Sequence, residues 1–266
     1  MSALGLIAGN GTFPILFARG ARKAGLRVVA AALHGEADDR LESEVDELFW
    51  VHVGQLGKIV EGFKRHDVHE AAFAGGIGKL RAFRSVRPDF TMLRAVTRLK
   101  HFSDDALLRS IAKAFEDEGI RIIPSTRFLA EALAAPGVMT KRKPTAEEQR
   151  DIELGQEVAE AIGRADVGQT VVVKAGNVVA VEAAEGTDEC IRRAGELAGR
   201  GIVVVKRCKP RQDERFDLPA IGPGTIETIA SVKGAVLAIQ AGKTVVLEPE
   251  KLVKLADAAR IAVVAG

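Results

Sequence analysis

The chain has 266 residues, 47% hydrophobic and 28% charged, a globular balance that argues against disorder and is long enough for two modest cores. Its 38 Lys and Arg against 36 Asp and Glu leave a formal charge of +2, so no global field steers nucleic acid and any anion binding must be local. Cys190 and Cys208 are too few for a disulfide framework, and all five His lie in the first half, away from both, so two reduced thiols are expected in place of a metal site.

The first residues carry no basic leader ahead of a long apolar core, and they read as a strand, not a signal peptide. No run approaches the roughly 18 apolar residues of a spanning helix. Leu4–Ala8 is the first predicted strand and stops at Gly9-Asn10-Gly11. Thr12–Gly25 reads as a helix and Arg27–Leu33 as the next strand, which makes one βαβ unit with a parallel sheet. The pattern continues with a strand at Glu47–Val53, a helix at Leu56–Arg65 and a strand at Glu70–Ala74 that ends in Gly75-Gly76. An amphipathic helix over Leu107–Gly119 and a strand over Arg121–Pro124 follow.

Residues 134–145 are rich in Pro, Lys and Thr and read as a linker between domains 1–133 and 146–266. Thr145 with Glu148 three residues later is a capping-box pattern that opens a helix through Ile162. Gln169–Lys174 and Asn177–Glu182 are predicted strands joined at Ala175-Gly176, a hairpin signal. Then come a helix at Cys190–Gly199, a strand at Ile202–Arg207 and a short helix at Thr225–Ala230. Strands at Gly234–Ile239 and Thr244–Leu247 flank Ala241-Gly242, with a helix at Lys251–Arg260 and a last strand at Ile261–Val264. The fold class is α/β throughout, with a parallel sheet in the first domain and a mixed sheet in the second.

Gly9, Asn10 and Gly11 sit between a strand and a helix, where free backbone N–H groups can seat an anion. A tight turn that simply needs positive φ explains the same glycines equally well, and the dinucleotide fingerprint is missing because Pro14 stands three places after Gly11. Gly75-Gly76-Ile77-Gly78-Lys79 also follows a strand. Gly76 and Lys79 suit a phosphate, although a basic surface loop is the bland alternative. Asp104-Asp105 at the start of a helix suits the helix dipole better than it suits a metal. The densest polar constellation runs through Glu182, Glu185, Thr187 and Asp188, then from Lys206 to Asp217. Interleaved cations and carboxylates at strand ends are what pyrophosphate hydrolysis requires: cations for the charge on the leaving phosphate, carboxylates for water or Mg²⁺.

Four second-half segments are distinctive. They are Asp166-Val167-Gly168-Gln169, Glu182 to Asp188, Lys209-Pro210-Arg211-Gln212-Asp213, and Asp217-Leu218-Pro219-Ala220-Ile221-Gly222-Pro223. With Gly5 to Gly9, Gly54-Gln55-Leu56-Gly57-Lys58 and Asp104 to Arg109, they resemble the I-type UDP-2,3-diacylglucosamine pyrophosphatases of lipid A synthesis over nearly the whole chain. The chain departs from that pattern at Asn10, at Ser103 and in the glycine-rich run 75–79. The resemblance implies a Rossmann-like N-terminal domain, a linker and a C-terminal domain of unusual fold. It implies Mg²⁺-dependent hydrolysis of UDP-2,3-diacylglucosamine to UMP and 2,3-diacylglucosamine 1-phosphate, in the cytoplasm at the inner face of a Gram-negative inner membrane.

On that reading Asp213 and Asp217 are the first catalytic candidates and, with Glu185, the metal ligands, and Asp188 is a further catalytic candidate. Lys209 and Arg215 would neutralise phosphate, and Gln212 and Thr187 would position it. An interdomain cleft is the expected place for an acylated nucleotide sugar. The expected partners are the substrate and its lipid product, a membrane surface touched transiently, and a second copy of the chain as one candidate assembly. The rival readings are a non-catalytic nucleotide- or lipid-binding protein and another nucleotide-sugar enzyme.

Overall fold

The computed structural model describes residues 2–77, 86–97, 104–129, 132–210, 213, 215 and 218–266. Contacts divide the chain into two units: unit 1 is Met1–Ala130 with Asp213–Asp217, and unit 2 is Glu131–Gln212 with Leu218–Gly266.

Unit 1 is built on five parallel strands: β1 (Ala3–Ala8), β2 (Arg27–Leu33), β3 (Glu47–Val51), β4 (Val68–Ala74) and β5 (Arg121–Ile122). Their spatial order is β3-β2-β1-β4-β5. The chain therefore winds outward from β1 in one direction, returns, and winds outward in the other, which places a topological switch point between the carboxyl ends of β1 and β4. The Phe13–Lys23 helix buries Ile15, Phe17, Ala18 and Ala21 on one face of the sheet, with Leu4, Leu6, Val28 and Ala30. The Leu56–Arg65 and Asp104–Asp117 helices cover the other face around Phe63 and Phe115. Strands that are buried on both faces read as unbroken apolar runs, which is why β1 and β2 were visible in the sequence.

Besides a short 3-10 helix at Ser125–Phe128, the described residues of unit 1 add two earlier elements to the sequence reading. Asp39–Glu44 forms a 3-10 helix and Phe90–Val96 an α-helix. Asp89 caps the second of these by accepting from the Met92 N–H at 2.9 Å, and its other carboxylate oxygen accepts from the Gly57 N–H at 2.6 Å. The Pro-Asp pair at 88–89 just before an apolar turn is the cue that could have revealed it.

Unit 2 holds a six-stranded mixed sheet in the order β6-β13-β11-β9-β7-β8. Its strands are β6 (Gly137–Val138), β7 (Thr170–Lys174), β8 (Asn177–Val181), β9 (Val203–Lys206), β11 (Val236–Ile239) and β13 (Ala262–Ala265). β9, β11 and β13 are parallel, and β6, β7 and β8 run antiparallel to their neighbours. The Ala146–Arg164 helix packs on one face against Val171, Val173, Val203 and Val205. The Thr187–Ala198, Pro223–Ser231 and Pro249–Ala258 helices cover the other, around Val172, Val204, Leu237 and Val263. The expected capping box is present: Thr145 Oγ1 accepts from the Glu148 N–H, and Glu148 Oε2 accepts from the Thr145 N–H. The Ala175-Gly176 turn joins β7 to β8, both residues at positive φ, and buried Asp151 accepts both of their N–H groups.

Three expectations are adjusted by the tertiary structure. Residues 134–145 do not form a free connection but are bonded into unit 2. β6 pairs with β13, the Val263 N–H donates to Thr140 Oγ1 at 2.9 Å, and the Lys141 N–H donates to Asp257 at 2.8 Å. Composition detects the polar surface of such a segment but not the backbone bonds beneath it. Asp213–Asp217, which lies within the expected domain 146–266, clusters with unit 1 instead. The strand expected just after Ala241-Gly242 lies outside the six-stranded sheet, to which the chain returns only at β13. There β12 (Val245–Val246) pairs in parallel with β10 (Ala220–Ile221) as a separate two-stranded element.

Candidate functional site

In unit 1 the two glycine turns singled out in the sequence meet at the switch point. The Gly9 N–H donates to the Ala74 carbonyl at 2.8 Å, and the Asn10 N–H donates to the Gly76 carbonyl at 2.8 Å. The Gly76 N–H returns a bond to Asn10 Oδ1 at 3.2 Å, and Asn10 Nδ2 donates to Glu36 Oε2 at 3.1 Å, just past β2. A Cβ on Gly9 would lie 2.3 Å from the Gly76 oxygen, so bare backbone is needed where the turns touch. Gly11 differs: its φ is +82° and a Cβ there would meet nothing within 4 Å. The Phe13–Lys23 helix has no side-chain cap at its N-terminus. Gly9 and Asn10 are thus committed to structure, while Gly11 and the helix start are open. Lys79 lies outside the described residues.

The Asp213 segment is organised around one arginine. Arg215 donates to Asp213 through its backbone N–H at 3.1 Å, through Nε at 3.0 Å and through Nη2 at 2.8 Å, and its Nη1 reaches Glu116 at 3.0 Å. These bonds hold the Asp213 carboxyl below the usual carboxylate range and raise Arg215 further. Asp213 is therefore a fixed anion at neutral pH, poorly suited to take up a proton. Arg215, expected to meet phosphate, already serves two carboxylates. Asp217 and Gln212 lie outside the described residues.

In unit 2 Glu185 accepts from Arg193 at 2.6 Å and from the Ala183 N–H at 3.1 Å; its own backbone N–H lowers its pKa most, and these two bonds lower it further. Asp188 is exposed in the first turn of the Thr187–Ala198 helix. Lys209 donates to Asp166 at 2.7 Å. Of the metal ligands expected, Asp217 lies outside the described residues, and Asp213 and Glu185 belong to different units. Among the described residues no three His, Cys, Asp or Glu side chains come together, and Asp213 and Glu185 are each held by an arginine of their own.

Sequence reasoning counted Glu182 and Lys206 in the polar constellation but missed that, with Thr170, they form a buried row beside Thr187. Lys206 and Glu182 are 7% and 8% exposed, and Thr170 is fully buried. Lys206 Nζ donates to Thr187 Oγ1 at 3.2 Å, and Thr187 Oγ1 donates to Glu182 Oε1 at 3.1 Å. Strand alternation was the available signal: Lys206 continues the face of Val204, and Glu182 the face of Ala180, toward the apolar core. Cys190 is buried, and desolvation pushes its thiol up to about 12, so it is an inert core residue.

The whole is a two-unit α/β protein. A doubly wound parallel unit brings paired glycine turns to its switch point, and a mixed-sheet unit gathers cations and carboxylates at its strand ends. The chain belongs to the LpxI family: the LpxI N-terminal domain matches residues 3–132 and the LpxI C-terminal domain matches residues 135–264. It is similar to the UDP-2,3-diacylglucosamine pyrophosphatase LpxI of Caulobacter vibrioides, with 35% identity over 97% of this chain and 95% of that protein. Among solved structures, the biotin carboxylase domain of Hydrogenobacter thermophilus 2-oxoglutarate carboxylase aligns at 15% identity with a TM-score of 0.28, covering 73% of this chain and 41% of that one. Phosphoribosylglycinamide synthetase from Anaerococcus prevotii aligns at 12% identity with the same TM-score, covering 72% and 41%.

Proposed function

We infer that this chain hydrolyses the pyrophosphate bond of UDP-2,3-diacylglucosamine, with water adding across the bond to give UMP and 2,3-diacylglucosamine 1-phosphate. The observation that carries the inference is the match of both LpxI domains, in order, across the chain, together with a relative of that activity aligned end to end. Asp217 is the proposed acceptor of the water proton, because both Asp213 oxygens already accept from Arg215 and serve to fix that guanidinium. Lys209 and Arg215 balance charge on the departing phosphate, with Thr187 and Gln212 positioning it and Asp188 as the reserve carboxylate.

A Mg²⁺ requirement is proposed from the substrate: bound Mg²⁺ would neutralise pyrophosphate oxygens, and such ions are commonly held by one or two carboxylates plus the phosphates themselves. Among the described residues no three carboxylate, His or Cys side chains gather into a metal site. Incubation of purified protein with UDP-2,3-diacylglucosamine, with and without EDTA, tests both claims. UMP release is expected in Mg²⁺ and none in EDTA. Turnover of a soluble nucleotide sugar alone would overturn the substrate assignment, and full activity in EDTA would overturn the metal.

Work at the cytoplasmic face of a membrane is proposed because substrate and product both carry two acyl chains. No described helix is long and apolar enough to cross a membrane. Phe90 and Leu93 are 81% and 51% exposed, three residues apart on one helix, with Arg87 and Arg94 close in sequence. Exposed apolar groups beside cations support weak, salt-sensitive contact with anionic lipid. Retention on vesicles after a high-salt wash would contradict that. A homodimer is the candidate assembly, to be read by light scattering.

A further inference from the structure

The carboxyl edge of the unit 1 sheet carries three aromatic rings that reach solvent. Trp50 and His52 stand at alternate positions at the end of β3, the edge strand, and His34 follows the last residue of β2 beside it. The His34 N–H donates to the Val51 carbonyl at 2.9 Å, which keeps the two strands paired out to the rings. Ala30 and Leu48, earlier on the same strand faces, pack in the core under the Phe13–Lys23 helix. At the carboxyl edge those faces open: His34 is exposed, Trp50 is 37% exposed and His52 is half-buried.

The rings line up as a shelf. The His34 ring centroid lies 5.2 Å from that of Trp50, with the planes 24° apart, and 4.6 Å from that of His52, with the planes 35° apart. Partial burial, then Arg87, His34 and Lys58, lower the His52 pKa, so that ring is neutral at neutral pH. Arg87 is held there by its N–H, which donates to the Val53 carbonyl at 2.8 Å. Gln55 Oε1 accepts from the His52 N–H at 3.0 Å, and this bond identifies Nε2 as the other end of the amide. Among the described residues Nε2 has no hydrogen-bond partner. Glu36, two residues past His34, accepts from Asn10 in the glycine turn, so the shelf adjoins the switch point.

Rings that serve only the fold are worth most when buried, and these are left accessible. Their accessible π surface suits a flat partner, because bases stack on aromatic side chains whatever their sequence. The amide N–H of Gln55 adds a donor beside the shelf, and the cations Arg87 and Lys58 complement a negative charge. A nucleotide offers all three complements at once: a flat ring, carbonyl oxygens on that ring, and phosphate. Open doubly wound sheets bind ligands outside the carboxyl ends of their strands near the switch point, which is where the shelf stands. Resting on the proposed UDP-linked substrate, we propose that the His34–Trp50–His52 shelf seats its uracil ring. Gln55 Nε2 donates to a uracil carbonyl oxygen, and Arg87 and Lys58 balance charge on the phosphates. The Gly54-Gln55-Leu56-Gly57-Lys58 run thereby gains a role in binding.

Trp50 is the only tryptophan of the chain, so intrinsic fluorescence of the full chain reads this shelf alone. UMP, uridine and ribose 5-phosphate are the probes. UMP and uridine are expected to quench Trp50 to saturation, UMP at the lower concentration, and ribose 5-phosphate to leave it unchanged. His34→Ala should weaken UMP and uridine about tenfold, the scale of one lost stacking partner. Gln55→Glu keeps an acceptor for the His52 N–H but removes the amide donor, and it should also weaken both. Arg87→Ala should weaken UMP and leave uridine unchanged. With UDP-2,3-diacylglucosamine, His34→Ala should raise KM far more than it lowers kcat. If His34→Ala fails to fold, Trp50→Leu and Trp50→Phe, titrated calorimetrically, carry the test: uridine binding is lost with Leu and largely kept with Phe. A Trp50 emission that UMP and uridine leave unchanged, or an unaltered KM in His34→Ala, overturns the proposal whatever the turnover. Quenching by uridine in a protein that releases no UMP from UDP-2,3-diacylglucosamine would instead overturn the proposed reaction and leave the shelf standing.

Discussion

Replacing Gly9 by alanine should separate the paired turns at the switch point of unit 1. The added Cβ would sit 2.3 Å from the Gly76 oxygen and 2.9 Å from the Gly75 oxygen, where real contacts stay beyond 3.0 Å. Both obstacles are backbone, so no side chain can swing aside. Moving them stretches the Asn10–Gly76 bond of 2.8 Å and the return bond from the Gly76 N–H to Asn10. Two backbone-linked bonds at about 1 kcal/mol each, plus about 1 kcal/mol of overpacking, give a loss of about 3 kcal/mol. For a unit of this size that lowers Tm by about 10 °C. Gly11→Ala is the control: with open space around it, only its positive φ opposes the change, at about 1 kcal/mol. Circular dichroism melting of both variants checks the contrast. A Gly9→Ala protein that melts with the wild type, or no worse than Gly11→Ala, would refute the argument that the turns hold each other.

Asp217→Ala should abolish UMP release while substrate still binds, since a carboxylate acting on the transition state affects rate far more than affinity. Single-turnover assays beside a melting curve check it, and a melting shift of about 1 kcal/mol with near-normal chemistry would assign Asp217 to structure. Because Arg215 depresses the Asp213 pKa, the stability this pair contributes is present above the ordinary aspartate pKa of about 3.9 and lost as pH falls through the lower folded value. Asp213→Asn should remove that part of the acid limb in a Tm-against-pH series, and an unchanged limb would show that the pair is not felt. The Cys190 thiol, raised to about 12 by burial, should resist alkylation at neutral pH until the protein unfolds. Rapid labelling of Cys190 in the native protein, read by mass spectrometry, would contradict its place in the core.

Much of the fold was legible in the sequence because local chemistry and burial agree there. β2 and the Leu56–Arg65 helix fall where apolar runs and helical spacing predict them, and Thr145 with Glu148 closes the capping box that its spacing announces. The Phe90–Val96 helix escaped because its apolar side chains, Phe90 above all, are not buried in a way that gives a core-facing pattern. The site was legible only as residue types. Glycines after strands, and cations mixed with carboxylates, pointed to phosphate chemistry, and the long second-half motifs pointed to the family.

What the sequence could not decide is which of those residues face one another. That Gly9 abuts Gly76 follows from β1 and β4 being neighbours in a sheet whose intervening chain forms β2 and β3 on the other side of β1. That Arg215 serves Asp213 and Glu116 depends on segments about a hundred residues apart meeting within one unit. Lys206 looked like one more charge at a strand end until the mixed sheet set it opposite Thr170 and below the start of a helix. Alternation along a strand is a local property and is written in the chain. The register between strands is a balance of packing across the whole unit, and it decides whether a buried lysine meets a hydroxyl, a carboxylate or nothing.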